Sequence, residues 1–119
     1  WQDIAIITPY VGQLDRIRDM LRTRRIPWVG DYELDDLNHS DTGLVIGTVH
    51  RFQGGERRFV IFTTVVTQER SLHFLNERVN LVNVAISRAR EQFITIGDDR
   101  LLSRGRVTDI LVREATRVV

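Results

Sequence analysis

The segment Phe59-Val60-Ile61-Phe62-Thr63-Thr64-Val65-Val66 decides the fold, because each of its residues is apolar or threonine. Such a run predicts a β-strand. A second run, Asp3-Ile4-Ala5-Ile6-Ile7-Thr8, is short, apolar and rich in β-branched side chains, which is typical of a strand buried on both faces of a parallel sheet. Residues 43–49 and 92–96 show related patterns. The sequence therefore predicts four strands.

Segments with helical spacing lie between and after these strands. Residues 11–25 predict an amphipathic helix from four apolar residues, Leu14, Ile17, Met20 and Leu21. Residues 80–90 predict a second helix packed on the sheet, and residues 101–119 predict one or two more, with Thr108-Asp109 as a start signal. Residues 26–41 are expected to form an irregular, solvated connection, with a short edge strand as the alternative, and residues 67–77 are expected to form a loop. Alternating strands and helices predict an α/β fold, with a mostly parallel sheet and helices on both faces.

The composition limits the chemistry that this chain can perform. Its 119 residues suit one domain, and its net charge of +1 provides no global basic field for nucleic acid. Cysteine is absent, which excludes disulfides and thiolate chemistry. All 17 basic residues are arginine, so the chain lacks the lysine of a phosphate-binding loop. No apolar run is long enough to span a membrane and no leader opens the chain, so we expect a cytoplasmic protein.

Polar segments follow three of the predicted strands, and functional residues of open parallel sheets gather at the carboxyl edge. These segments are Thr8-Pro9-Tyr10 with Gly12-Gln13, residues 48–56, and Asp98-Asp99. Within the second, the glycines of Gln53-Gly54-Gly55-Glu56 allow a ligand to approach the backbone closely, although a surface loop has the same pattern. On the predicted helix before the last strand, Arg88 and Arg90 point in different directions, and either a phosphate or an aspartate would partner one that faces the sheet.

Three of these segments, in this order, resemble motifs IV, V and VI of superfamily 1 helicases. They are Ile7-Thr8-Pro9-Tyr10-x-x-Gln13, Thr48-Val49-His50-Arg51-Phe52-Gln53-Gly54-x-Glu56, and Leu81-Val82-Asn83-Val84-Ala85-Ile86-Ser87-Arg88-Ala89-Arg90. The closest resemblance is to the branch that contains the RNA helicase of nonsense-mediated decay and its bacterial DNA-helicase relatives. The resemblance covers residues 3–98. It implies that residues 1–119 form the second RecA-like domain of a longer, ATP-dependent helicase.

The resemblance also implies roles around a nucleotide. ATP and Mg²⁺ would be bound mainly by the first RecA-like domain of the same chain, which carries the phosphate-binding loop. Arg88 would be the arginine finger that stabilises charge on the γ-phosphate. Glu56 would contact the ribose, Gln53 and Gly54 would shape the loop, and Arg90 would support the third motif. The isolated domain would not hydrolyse ATP.

The remaining matched positions imply contacts with single-stranded DNA or RNA. They are Thr8, Pro9, Tyr10, Gln13, Thr48 and His50. Contacts of this type follow the backbone of the strand, so little base specificity is expected. His50 departs from the acidic residue that many relatives of the decay helicase carry at this position.

Two other classes of function are compatible with the residues alone. A RecA-like module could bind or scaffold nucleic acid without motor activity, although it would not need Arg88, Gln53 and Glu56 together. A metal-dependent nuclease could use an acidic cluster, whose members are Asp31, Glu33, Asp35 and Asp36. A charge run of this kind is usually a solvated surface, and the lysine typical of such nucleases is absent.

Overall fold

A computed structural model describes residues 3–23, 44–50, 52 and 55–116. Its elements, in chain order, are β1 (Ile4–Thr8), α1 (Val11–Thr23), β2 (Val45–Thr48), β3 (Arg57–Thr63), α2 (Glu69–Glu77), α3 (Val79–Ser87), β4 (Ala89–Ile96), α4 (Asp99–Leu102) and α5 (Ile110–Arg113). The four strands form one sheet in the order β2-β1-β3-β4, and every neighbouring pair is parallel. The predicted parallel sheet is confirmed.

Two apolar cores lie on opposite faces of the sheet. Alternate residues of β1 enter each core: Ala5 and Ile7 join the larger one, whereas Ile4 and Ile6 pack on the smaller one. Helix α1 covers the smaller core through its fully buried Leu14. The larger core contains buried side chains from α2 and α3. This arrangement confirms the predicted α/β class with helices on both faces, and it explains why β1 is apolar at successive positions.

The prediction of a loop at residues 67–77 is wrong, because α2 occupies most of this segment. Leu72 and Leu75 lie one turn apart on the buried face of the helix and enter the larger core. The other residues of the helix are mostly polar and exposed, as is usual for a helix packed on one side. The polar composition of the segment concealed its helical period.

The helix expected over residues 80–90 is shorter than predicted. Helix α3 ends at Ser87, Arg88 is its C-terminal cap, and Arg90 lies in β4. Backbone pairing explains the change, because Arg57 pairs with Ala89 at the start of the β3–β4 ladder. The separate directions expected for Arg88 and Arg90 on a helix therefore do not apply.

Two short helices form the C-terminal part, as predicted for this segment. Asp98 caps α4, because its Oδ1 accepts hydrogen bonds from the backbone N–H groups of Arg100 and Leu101, at 2.9 and 3.2 Å. Asp98 therefore has a structural role. Helix α5 begins directly after Asp109, in agreement with the predicted start signal.

The chain bends sharply after β3. Thr64 and Val66 are buried, and Val65 between them has a positive φ of 55°. A β-branched residue rarely adopts this left-handed conformation. Thr64 holds the bend in place, since its N–H and its hydroxyl both donate to the carbonyl of Ile96, at 3.1 and 3.2 Å. The strain at Val65 is therefore imposed by the packing on either side of it.

The described helices include none that could cross a lipid bilayer. The expected connection at residues 26–41, together with its acidic residues Asp31, Glu33, Asp35 and Asp36, lies outside the described residues. Gly43, the first residue of the second predicted strand, also lies outside them.

Candidate functional site

The polar segments of the sequence lie at two opposite edges of the sheet rather than at one. Thr8 and Thr48 end β1 and β2 at the carboxyl edge, where they pair with each other. Glu56 and Arg88 directly precede β3 and β4, at the amino edge. The expectation that residues 48–56 lie at one edge is therefore wrong, because β2 and β3 are parallel and the chain must return across the sheet between them. At about 3.3 Å per residue, the five residues of β1 separate the two edges by roughly 15 Å.

Backbone and side-chain bonds connect Glu56, Arg57, Arg88 and Arg90 at the amino edge. The carbonyl of Arg88 accepts a hydrogen bond from the N–H of Arg57 at 2.9 Å. The guanidinium Nε of Arg90 donates to Glu56 Oε2 at 2.8 Å, and Arg57 Nη1 donates to the carbonyl of Glu56 at 3.0 Å. We call these four residues the amino-edge cluster. The structure thus brings together Glu56, Arg88 and Arg90, the three described residues to which the resemblance gives roles around the nucleotide.

Two guanidinium groups of the amino-edge cluster have a buried N–H without an acceptor. The Nε atoms of Arg88 and Arg57 are buried, and neither has a hydrogen-bond partner among the described residues. A buried donor that lacks an acceptor costs about 1–3 kcal/mol, so such a group calls for an explanation, and a catalytic role or a bound ion is one. The cluster also contains three arginines for one glutamate. Its charge and its free donors suit a phosphate group.

The neighbouring Arg58 differs from Arg88, because its guanidinium donors have carboxylate acceptors. Its Nε and Nη2 donate to the two carboxylate oxygens of Glu91, at 2.6 and 3.1 Å, and its Nη1 lies 3.4 Å from Asp3 Oδ2. The hydrogen bond from Arg58 lowers the pKa of Glu91. Arg58 therefore has its own structural anions, whereas no carboxylate pairs with Arg88 in the described part of the chain.

At the carboxyl edge, the structure separates buried from accessible residues. Thr8 is fully buried, and its Oγ1 accepts a hydrogen bond from the N–H of Tyr10 at 3.4 Å. Thr48 is also buried, whereas His50 is exposed. Pro9, Tyr10 and Gln13 are half-buried around the start of α1. The two threonines can therefore shape the loops, and the other side chains can reach a ligand.

Two aromatic side chains and one arginine lie together beside the Pro9-Tyr10 turn. The ring of Tyr10 stacks on Phe74 of α2, with ring centroids 5.1 Å apart and planes at 29°. The guanidinium carbon of Arg78 lies 4.4 Å from the centroid of the Phe74 ring. Burial raises the pKa of Tyr10, and the positive charge of Arg78 offsets part of that rise.

Sequence reasoning missed several of these residues. Arg57 could have been noticed from the Glu56-Arg57-Arg58 run directly before a strand. Phe74 lies in the segment 67–77 that the sequence predicts as a loop, and Arg78 lies between that segment and the next predicted helix, so neither has a predicted role. Gln53 and Gly54 lie outside the described residues, so their predicted roles stay predictions. In the described ranges, His, Asp and Glu side chains form no group of three or more that could hold a metal ion.

Comparison with known proteins assigns this chain to a family. A family model described as an AAA domain matches residues 2–100. Among similar proteins, the DNA polymerase alpha-associated DNA helicase A of Schizosaccharomyces pombe is 33% identical over 98 residues, which cover 82% of this chain and 12% of the relative. The chain therefore belongs to the AAA domain family, and within it to the superfamily 1 helicases.

Two further relatives support this assignment. ECM32 of Saccharomyces cerevisiae, whose name places it among ATP-dependent RNA helicases, is 30% identical over 128 residues, covering 87% of this chain and 11% of the relative. The human protein named 3'-5' exoribonuclease HELZ2 is 33% identical over 114 residues, covering 85% of this chain and 3% of the relative. The chain thus spans about a tenth or less of the length of these relatives.

Proposed function

We propose that this chain is the second RecA-like motor domain of a longer ATP-dependent helicase or translocase. The observation that carries the proposal is Arg88, whose buried Nε has no acceptor among the described residues and whose carbonyl accepts from the N–H of Arg57, the residue after Glu56, at the amino edge. The superfamily membership of the chain supports the same role. In this proposal Arg88 is the arginine finger that stabilises negative charge on the transferred phosphoryl group.

In this proposal the amino edge binds ATP and the carboxyl edge binds the nucleic-acid strand. At the amino edge, Glu56 binds the ribose of ATP, and Arg90 holds the Glu56 carboxylate in place. Gln53 and Gly54, which lie outside the described residues, keep in this proposal the role in the motif that the resemblance implies. At the carboxyl edge, accessible residues contact single-stranded DNA or RNA, while buried residues fix the loops. The accessible ones are Pro9, Tyr10, Gln13 and His50, and the buried ones are Thr8 and Thr48.

The proposal needs a second domain and a metal that this chain does not supply. It contains no lysine for a phosphate-binding loop, and its described residues offer no group of ligands for Mg²⁺. The first RecA-like domain of the same protein would bind Mg²⁺ and most of the ATP. We propose the cytoplasm as the compartment of the intact protein.

The test is an ATPase assay on the intact protein, with and without single-stranded DNA or RNA. We expect hydrolysis that the strand stimulates, and no hydrolysis by residues 1–119 alone, because half of the nucleotide site is then missing. Equal rates with and without strand in the intact protein would contradict the motor. That outcome would favour a RecA-like module that binds nucleic acid without translocation, for which the accessible carboxyl-edge residues are the supporting observation.

Replacing Arg90 with glutamine should weaken the binding of ATP more than it slows hydrolysis. The exposed Arg90–Glu56 pair is worth at most about 1 kcal/mol, so we expect KM for ATP to rise about fivefold, with kcat changed less than twofold. A double-mutant cycle checks the cause. If Arg90 acts by holding Glu56, then Arg90→Gln combined with Glu56→Gln is no worse than Glu56→Gln alone. Additive losses would contradict the positioning role.

A further inference from the structure

A pocket lies at the carboxyl edge, between the Tyr10 turn, the bend after β3 and the first turns of α2. It has a volume of about 490 Å³, which is within the roughly 300–1,000 Å³ of sites for small organic groups. Its lining residues are Tyr10, Val65, Thr67, Gln68, Arg70, Ser71 and Phe74. The functional assignments above use only Tyr10 of this set, so the pocket needs an explanation of its own.

One wall of this pocket is aromatic and is held rigidly. Tyr10 and Phe74 are half-buried and stack on each other, and Arg78 covers the Phe74 ring from 4.4 Å. Stacking on a protein neighbour fixes the ring of Tyr10 before any ligand arrives. A fixed aromatic ring at the side of an open pocket is a platform for another flat ring.

Two arginines beside the pocket are available for an anion. Their acidic neighbours already have other partners, because Glu69 is paired with Arg104 at 2.7 Å and Glu77 with His73 at 3.0 Å. Among the described residues, no carboxylate is paired with Arg70 or Arg78. The pocket therefore combines an aromatic platform with free positive charge.

One residue that lines this pocket, Val65, has a strained backbone conformation. Val65, the residue with a positive φ of 55°, lines the pocket, and the buried residues Thr64 and Val66 hold it in that conformation. Strain of this type costs about 1–3 kcal/mol and is concentrated at ligand sites. A glycine would remove the strain but would also remove this wall of the pocket.

We propose that this pocket binds one unstacked base of a single-stranded nucleic acid, which stacks against Tyr10 while Arg70 binds the adjacent phosphate. Gln68 and Ser71 provide an amide and a hydroxyl at the rim that can hydrogen-bond to the edge of the base. A base linked to phosphate has the flat ring and the negative charge that this pocket matches. The inference rests on the proposed function, because it specifies how the carboxyl edge would hold the strand.

The experiment compares two strands of equal length on the intact protein by fluorescence anisotropy: oligothymidylate, and a fully abasic strand that keeps only sugar and phosphate. Stacking contributes about 1–3 kcal/mol per base, so Tyr10→Leu should weaken binding of oligothymidylate about tenfold and leave binding of the abasic strand unchanged. Tyr10→Phe keeps the ring and serves as the matched control, with affinity close to wild type.

Arg70→Gln tests the phosphate contact separately. It should weaken binding of both strands and reduce the salt dependence of log K by about 0.7, the value for one phosphate contact on a single strand. The matched control is Arg106→Gln, because Arg106 is also exposed but lies next to Val107, which is bonded to Asn76 at the other end of α2. This control should leave the salt dependence unchanged.

The outcomes separate the pocket from the motor. One outcome is that single-stranded nucleic acid stimulates ATP hydrolysis while Tyr10→Leu weakens binding of oligothymidylate and of the abasic strand equally, or of neither. In that case the proposal of a base pocket is wrong and the proposed function stands. If thymidine monophosphate alone binds the pocket as tightly as oligothymidylate, the site serves a free nucleotide and the inference is overturned. If the wild-type protein binds no strand at all, both proposals fail.

Discussion

Replacing Arg88 with alanine is expected to lower the strand-stimulated kcat of the intact protein by about a thousandfold or more. Arginine fingers contribute factors of about 10³–10⁵ to phosphoryl transfer, and a thousandfold loss corresponds to about 4 kcal/mol. The affinity for ATP should change much less, because the finger acts on charge that develops in the transition state. Steady-state kinetics with saturating single strand measure both quantities.

The fold should survive this substitution, so a loss of rate can be attributed to chemistry. Arg88 contributes to the fold through its backbone, whose carbonyl accepts from the N–H of Arg57 and whose N–H donates to Ala85, and alanine keeps both bonds. Its side chain makes no hydrogen bond through Nε in the part of the chain that the structure describes. Removing this buried, unpartnered donor should leave the stability unchanged or slightly raise it.

Two comparisons identify the role of the guanidinium. Arg88→Lys keeps the charge but loses the fork of donors, and it should recover only a small part of the rate. Arg100→Ala removes an exposed arginine beyond the other edge of the sheet and should leave the rate unchanged. An Arg88→Ala protein as fast as wild type would show that Arg88 is not the finger, and the non-motor module would then be the better interpretation.

Replacing Gly105 with alanine is expected to destabilise the domain by about 3 kcal/mol. Gly105 is buried against Asn76 and Thr108, and a Cβ at this position would overlap Thr108 Oγ1 and Asn76 Nδ2. Overpacking alone costs about 1–3 kcal/mol, and displaced buried hydrogen bonds add to that cost. Urea unfolding of the 119-residue chain should show a lower midpoint with an unchanged slope.

The bonds at risk connect the C-terminal segment to α2. Asn76 Oδ1 accepts from the N–H groups of Val107 and Thr108, at 2.6 and 3.2 Å, and Thr108 Oγ1 donates to the carbonyl of Leu102 at 2.7 Å. Thr108 is fully buried, so no water can replace a lost partner easily. One added methyl group would therefore disturb several bonds together.

Gly12 offers the matched control for this prediction. A Cβ at Gly12 would meet no atom within 4 Å, and Gly12 lies in the first turn of α1. Alanine is favoured over glycine in helices by up to about 1 kcal/mol, so Gly12→Ala should be neutral or stabilising. A Gly105→Ala domain as stable as Gly12→Ala would show that the Asn76 network tolerates displacement.

The sequence could predict the sheet because each strand can be recognised from its own residues. The runs around Ile6, Ile46 and Val60 are apolar at successive positions, and this pattern needs no knowledge of neighbouring strands. The position of Arg90 could not be predicted in this way. Its local sequence favours helix continuation, and only pairing with a distant strand, at Arg57, converts residues 89–90 to β4.

The candidate site was predictable as a set of residues but not as an arrangement. The motifs identify Glu56, Arg88 and Arg90, and the structure brings these residues into one cluster. Their separation from Tyr10 by the length of a strand depends on where the chain crosses the sheet between β2 and β3. The base pocket was hidden for a different reason, since Phe74 and Arg70 lie on a helix whose polar exposed face concealed its period.

The parallel direction of all four strands has a mechanical consequence. Each strand runs from the amino edge to the carboxyl edge, so a pull between the two edges acts along the strands. The hydrogen bonds between neighbouring strands then resist the load together in shear, and the close-packed cores on either face deform little. Tension between the two edges is therefore shared by many hydrogen bonds at once instead of being borne by one bond after another.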